Sequence, residues 1–524
     1  MDRTIQIIKK YLWFPIYTGA KQTVIELWSQ GEKVAEFKIG VPEDGIPEPD
    51  YWAPFLAEKW RGSDLHARGD VPAALWEQIR QEDARPKREG VHPQLHFTPD
   101  AGWINDPNGL VFHGGWYHLY FQYNPYDTSW NDCHWGHAVS RDLLHWEQKD
   151  TVLYPDGDGT VYSGCGLVDR RNEWGLGQDA LLFFYTSAGG ENRWSQGKPY
   201  TQCMAYSVDG GNTLRREPAM RIPNYAKGNR DPKVFYHEDS KAYCMALYFD
   251  GNRFGIFRSP DLHTWQLSQE ITLETAWECP DLFPLPVEGE DGEKWVFWSA
   301  DGFYFVGDFD GYGFYPQQVK KSAYLGTVPY AAQTYWGTGE RRISLAWLRT
   351  RPQQKRYTGA MSLPHDLCLC RRDGEYRLRL IPSEEIEASL QPAETYEFTS
   401  SGVLLRQGEE LAWQIKLRWR PGAVGATELK VGEALIRFDV NEKEAMVGEE
   451  RFAFSEQEGV RLIVDGNILE LSADHDLIYL AAEIAQDMEP VGVRIQTDPA
   501  CPVNIELRRS KTHGKEDGID NGNP

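Results

Sequence analysis

Between about residues 95 and 365 the chain returns again and again to one kind of segment, and this recurrence limits the folds open to it. Short runs rich in aromatic and β-branched residues occupy 117–123 (YHLYFQY), 181–186 (LLFFYT), 242–249 (AYCMALYF), 294–299 (KWVFWS) and 343–348 (ISLAWL). They lie roughly 50 to 65 residues apart, and each has the length and composition of a strand. A second element follows three of them: SRDLLHW from Ser140, SVDGGNT from Ser207 and SPDLHTW from Ser259. Each is a Ser-x-Asp turn leading into another apolar or aromatic strand. A unit of this size, repeated about five times, fits the blades of a β-propeller; a long β-sandwich is the alternative.

The flanks differ from the repeat. At roughly 150 residues per domain, 524 residues suggest about three domains. In residues 1–90, the stretch 23–39 (TVIELWSQGEKVAEFKI) reads as a hairpin around Gln30-Gly31, 71–82 has helical spacing, and DARPKREG reads as a linker. After the repeat, Pro382-Ser383-Glu384-Glu385-Ile386 marks a helix start with acidic residues in its first turn. Alternating runs such as LAWQIKLRW, ALIRFDV and NILELSA then suggest a β-sandwich up to residue 508. The polar, Gly-rich end, 509–524, is expected to be disordered.

A net charge of −23 without a long Lys/Arg run argues against nucleic acid and anionic membranes as partners, since both need basic clusters. A neutral polyhydroxyl substrate tolerates such a chain, because carboxylates accept hydrogen bonds from hydroxyls. Aromatic residues make up 13%; sheet core accounts for most of them, and such rings also stack on sugars. The apolar start MDRTIQIIKKYLWFPIYTG is broken by Lys9 and Lys10 and lacks a small-residue cleavage site, so a cytosolic protein without a secretory signal is expected. No run of about 18 apolar residues predicts a membrane span. The eight cysteines form no CxxC pair; Cys368 and Cys370 share a strand face and read as reduced thiols. His134 and His137 form an H-x-x-H, but on a strand they point to opposite faces, so no metal is expected.

Three acidic motifs carry candidate chemistry: Trp103-Ile104-Asn105-Asp106-Pro107-Asn108-Gly109, Asn229-Arg230-Asp231-Pro232 and Trp277-Glu278-Cys279-Pro280-Asp281. The first is strong turn chemistry and would aim Asp106 into a funnel from a turn at the start of an inner strand. In the second, Arg230 invites an ion pair and Pro232 fixes the backbone. In the third, Trp277 and Cys279 give Glu278 partly apolar surroundings, of the kind that suit a general acid near neutral pH. Read singly, each motif is also an ordinary turn or surface acid. Together they sit at the starts of different repeats, where a propeller would point all three acids at one axial pocket.

The ordered set HFTPDAGWINDPNGL, YFQYNP, HWGHAVSRDLLHW, NRDPKVF, WECPDLFPL, YAAQTY and MSLP resembles glycoside hydrolase family 32, strongly over 92–385 and weakly on to about 508. The resemblance implies an all-β chain: a five-bladed β-propeller over 91–380, a linker helix and C-terminal β-sandwich over 381–508, and a small N-terminal β-rich module that shapes the site or an oligomer contact. It implies a retaining exo-hydrolase that releases terminal β-fructofuranosyl units from sucrose, fructo-oligosaccharides or fructans. Asp106 would be the nucleophile, Glu278 the acid/base, and Asp231 the holder of fructose hydroxyls. Asn105, Gln122, Trp130, Tyr162, Ser163, Arg230, Tyr330 and Gln333 would bind substrate, with neither metal nor organic cofactor. A small β-fructoside is thus the expected partner, and a homo-oligomer stays open.

Departures from the family pattern leave the leaving-group side open. Cys165 stands where Ser is usual, His365 where Arg is common, and only Trp347 precedes MSLP, so Tyr357 or Arg349 is expected to fill that wall. A fructosyltransferase, a hydrolase of sucrose 6-phosphate using Arg349, Arg351, Lys355 and Arg356, a non-catalytic fructan-binding protein and an inverting relative remain as alternatives.

Overall fold

The computed structural model describes residues 2–43, 45–222 and 224–511. The described residues are built almost wholly of antiparallel strands. Five sheets follow one another along the repeat region, each laid down strand by strand. Their first strands are Gly102–His113, Thr160–Val168, Arg230–His237, Asp281–Pro286 and Pro329–Thr334. The first strands of sheets one, two and three pack side by side, and that of sheet five returns to touch that of sheet one. Inner strands are buried on both faces, which is why Leu181–Ala188 reads as a continuous apolar run. The outermost strand of the third sheet, Gln266–Thr272, alternates exposed and half-buried positions instead.

The Ser-x-Asp turns form as their residues dictate. The Ser140, Ser207 and Ser259 hydroxyls donate to Asp142, Asp209 and Asp261, whose carboxylates in turn accept backbone N–H groups two to four residues on. A fourth copy, Ser299 with Asp301, occurs in the next sheet, where its sequence had been less conspicuous.

The N-terminal segment is a four-stranded and a three-stranded sheet around one core containing Phe14, Ile25, Phe37, Phe55 and Leu65. The expected hairpin is Lys21–Ser29 with Glu32–Val41, and Gln30 and Gly31 both take the left-handed backbone that a two-residue turn requires. The helical stretch is shorter than its spacing suggests: Ala73–Gln78 is helix, and Arg80–Glu82 pairs with Tyr11–Ile16 as a strand. Tyr126 of the repeat region inserts into this core, stacked on Phe37 at 4.0 Å.

Past the expected short helix, Glu384–Ser389, two six-stranded sheets share a core including Trp413, Ile415, Leu429, Phe438 and Ile505. Arg509 ends the strand Val503–Arg509, and the Ser510 and Lys511 amides are hydrogen-bonded, so the tail expected from 509 is ordered at its start. The rest of it, 512–524, lies outside the described residues.

A buried ionic cluster joins the repeat region to this C-terminal pair of sheets. His96 Nδ1 lies 3.0 Å from Asp465, its Nε2 lies 3.2 Å from Glu470, and the amides of Gln94, Leu95 and His96 also donate to Asp465. Burial works against a charged ring, but the two carboxylates outweigh it and push His96 up to about 9. A raised histidine contributes stability that is complete below its ordinary value of 6.5 and lost as pH rises through about 9. His96→Ala should therefore cost about 3–5 kcal/mol at pH 6, by leaving two buried carboxylates without a counter-charge. Melting curves should show the gap to wild type narrowing above pH 9; an equal gap at pH 6 and pH 10 would rule out the ionic account.

His365, standing where arginine was expected, joins this cluster at 3.7 Å from Glu470. Cys165 is a core residue whose sulfur accepts the Val234 amide, and it is not among the residues lining the cavity described below.

Candidate active site

One local device recurs at the top of the first strands. Pairing skips between Ile104 and Pro107, so Asn105 and Asp106 together oppose Gln122. The same two-against-one bulge sets Tyr162 and Ser163 against Thr186, Asp231 and Pro232 against Leu247, and Ala331 and Ala332 against Ala346. A bulge bends its strand and re-aims the side chains beside it. Four bulges at one level thus turn residues from four sheets toward one centre. Asp106 therefore projects from a bulge inside a strand, and the turn expected from Asn-Asp-Pro is not formed. The fourth sheet contributes from the segment before Asp281–Pro286, where Glu278 and Cys279 take left-handed φ values of 29° and 43°. Asp231 does the same at 63°. Such strain persists only where the surroundings hold it in place.

These segments enclose a cavity of about 430 Å³, within the usual range for small-molecule sites. Asp106, Asp231 and Glu278 all line it, with Asn105, Gln122, Trp130, Tyr162, Ser163, Arg230 and Tyr330. Ten of the eleven expected site residues thus meet. The exception is Gln333, which lies deeper on its strand, opposite Leu345, and is buried away from the cavity. Both residues came from one family motif, YAAQTY; the bulge between them keeps them on one face but sets Gln333 two partner positions further along, opposite Leu345 and not Trp347.

Trp103, Tyr200 and Trp347 line the cavity too. Trp347 fills the wall that Tyr357 or Arg349 had been expected to fill, with its ring 5.6 Å from Trp103. Tyr357 instead stacks on His92 and donates to the Val91 carbonyl, while Arg349 covers the Tyr330 ring at 4.6 Å. Tyr200 carries no motif; it meets the Tyr162 ring edge-on at 5.6 Å.

Each acid has its own setting. Asp106 accepts hydrogen bonds from Ser163 Oγ at 2.6 Å and Asn105 Nδ2 at 3.3 Å. Burial, and then the charge of Glu278, push its carboxyl up to about 6 against those bonds. Asp231 accepts the Cys279 amide at 3.2 Å, and its own amide donates to Thr186 Oγ1. Burial raises its carboxyl as well; Arg230 pulls it down, and Glu278 and Asp106 push it back up. The Cys279 thiol lies 3.4 Å from both Asp106 and Asp231, so its single proton serves one at a time. Burial and these two charges hold the thiol far above its ordinary range, which keeps it a donor.

Glu278 is less apolar in its setting than its sequence neighbours suggested. Cys279 points at the other two acids, and Trp277 is half exposed against Tyr248. The Glu278 carboxylate receives Arg230 Nη2 at 2.5 Å, Arg230 Nε at 3.0 Å and the Tyr330 hydroxyl at 2.6 Å. Arg230, which also lies over the Tyr248 ring, is the one cation among the lining residues. Arg351, Lys355 and Arg356 pair with Glu483, Asp50 and Glu89 instead. Of the histidine pair, His137 faces His118 at 3.1 Å and His134 packs between Tyr126 and Tyr154.

Fold and site together define the class: an all-β protein whose consecutive sheets deliver three carboxylates to one cavity. Residues 96–382 match the family model of the glycosyl hydrolases family 32 N-terminal domain, and the chain belongs to that family. It is 37% identical over 336 residues to a levanase of Bacillus subtilis (strain 168), a stretch covering 57% of this chain and 48% of that one. The chain spans about half the length of the curated relatives it matches. The crystal structure of an exo-inulinase from Aspergillus awamori superposes with a TM-score of 0.72 at 23% identity, over 80% of this chain and 98% of that one. A family 32 glycoside hydrolase from Bifidobacterium adolescentis covers 97% of this chain and 99% of its own, with a TM-score of 0.67 at 18% identity. These two likenesses are of fold.

Proposed function

We propose that the chain is a retaining exo-acting β-fructosidase, built as a five-bladed β-propeller with a C-terminal β-sandwich. The observation that carries this reading is the meeting of Asp106 and Asp231, from bulges in two sheets, and Glu278, from the segment leading into a third, in one cavity. The names levanase and exo-inulinase among its relatives point to fructose polymers as the substrate class.

In this reading the Asp106 carboxylate attacks the anomeric carbon of a terminal fructosyl unit while Glu278 protonates the departing glycosidic oxygen. The bond to the leaving sugar breaks and an ester to Asp106 forms. Glu278, now a carboxylate, takes a proton from water, which attacks the same carbon and frees Asp106. The passing oxocarbenium-like charge sits among acidic groups that were in place beforehand, which favours it. Asp231 is placed to accept bonds from fructose hydroxyls, and Arg230 and Tyr330 fix the Glu278 carboxyl in the free site. With Arg230 already bound to Glu278 and the other nearby cations engaged elsewhere, unphosphorylated fructosides fit better than sucrose 6-phosphate.

The test is fructose release from sucrose, inulin and levan, with NMR of the first-formed anomer. Retention is expected; inversion, or no release from any of the three, overturns the reading. The pH profile adds a second check. Asp106 must be ionised to attack, so kcat/KM should fall about tenfold per pH unit below about 6. A profile flat to pH 4.5 would show that the site does not lift the Asp106 carboxyl to about 6.

A further inference from the structure

The floor and rim of the cavity differ. Asp231 is 4% exposed, whereas Trp130 on the wall is 52% exposed. Trp130 lies in the rim segment 127–132; Tyr200 follows a second rim segment, 189–199. Both segments are gripped by one face of the N-terminal hairpin. Glu36 and Lys38 are two apart on Glu32–Val41, and Gln22 pairs with Gly40 on the neighbouring strand, so all three side chains share that face.

The grip on the first segment is dense. Lys38 Nζ donates to Asn131 at 2.7 Å and pairs with Asp132 at 3.2 Å, and the Lys38 amide donates to Asp132 at 2.8 Å. Gln22 accepts from Asn131 at 2.8 Å and donates to Asp127. Asp132 takes a left-handed φ of 33°, a conformation these bonds hold. From the repeat region, Asn124 donates to the Ser129 carbonyl and Thr358 to the Thr128 carbonyl, nearer the start of the segment.

The second segment is tied to the repeat region by Asn192, which donates to the Asp156 carbonyl, and by Lys198 with Asp158, and to the hairpin by Glu36. Its buried carboxylate accepts the amides of Arg193 at 2.8 Å and Trp194 at 3.3 Å and is paired with Lys33 at 2.6 Å. Two residues before Arg193, Glu191 accepts the Tyr200 hydroxyl at 2.6 Å and so sets the ring that borders the cavity.

We propose that this hairpin is a positioning device for the cavity rim: Gln22, Glu36 and Lys38 set the places of Trp130 and Tyr200, and thereby how the sugar next to the terminal fructose is held. The proposal rests on the β-fructosidase reading for its substrate. Misplacing an exposed wall that carries none of the three acids weakens substrate binding more than it slows bond cleavage.

The experiment uses the full chain with Lys38→Met, Glu36→Gln and the conservative Lys38→Arg. Hydrogen exchange is measured on both rim segments, and steady-state kinetics on sucrose and a fructose-terminated trisaccharide. Lys38→Met should speed exchange in 127–132 and raise KM for the trisaccharide about five- to tenfold, with kcat within about twofold and Lys38→Arg restoring KM. Glu36→Gln should do the same through 189–199. Lys38 is part-exposed, so its variants report even if Glu36→Gln does not fold. Unchanged exchange overturns the grip, and faster exchange with unchanged KM overturns its bearing on substrate. If wild type cleaves no fructoside, the functional reading fails while the exchange arm still decides the grip.

Discussion

Asp106→Asn should lower kcat by on the order of 10⁴-fold or more and, at pH 7, raise the melting temperature. The first effect follows from the role: an amide cannot form the ester on which the two-step reaction depends. The second follows from burial. An aspartate held at about 6 in the folded chain and 3.8 in the unfolded chain binds its proton more tightly when folded. Its cost to stability is absent below 3.8, grows as pH rises toward 6, and is complete above that, at about 3 kcal/mol. Asparagine removes the charge and still accepts from Ser163. Activity assays beside thermal melts at pH 7 and pH 5 check both halves. A variant that is inactive but no more stable at pH 7 would show that the site does not strain its nucleophile.

Glu278→Ala should lower kcat on sucrose by roughly 10² to 10⁴-fold, the range for losing a positioned acid and base. The loss should depend on the leaving group. An activated fructoside, whose leaving group departs without a proton, should regain much of its first step in this variant and none in Asp106→Asn. A pre-steady-state burst of leaving group measures that step directly. Equal losses on both substrates would place Glu278 outside proton transfer and leave it as a partner of Arg230 and Tyr330.

Much of this was legible beforehand. The aromatic runs marked the second strands of most sheets, and the Ser-x-Asp turns marked chain reversals, because both depend on residues adjacent in sequence. The three acids and most of their neighbours were found through the family resemblance, whose motifs are themselves contiguous. The misses share a cause. Gln333 came with Tyr330 in one family motif yet lies away from the cavity, Trp347 was set aside for Tyr357 or Arg349, and His96 opened the longest motif without any sign that it faces Asp465 some 370 residues away.

By itself, then, the chain's order of residues determined where strands and turns form and which acids are on offer, since backbone preference and side-chain chemistry are local. Only the tertiary structure decided which side chains face the cavity and which carboxylate is burdened. Strand alternation assigns a face only once pairing is known, and each bulge resets that assignment. A carboxyl's affinity for its proton is set by burial and by charges that the fold brings in from other sheets.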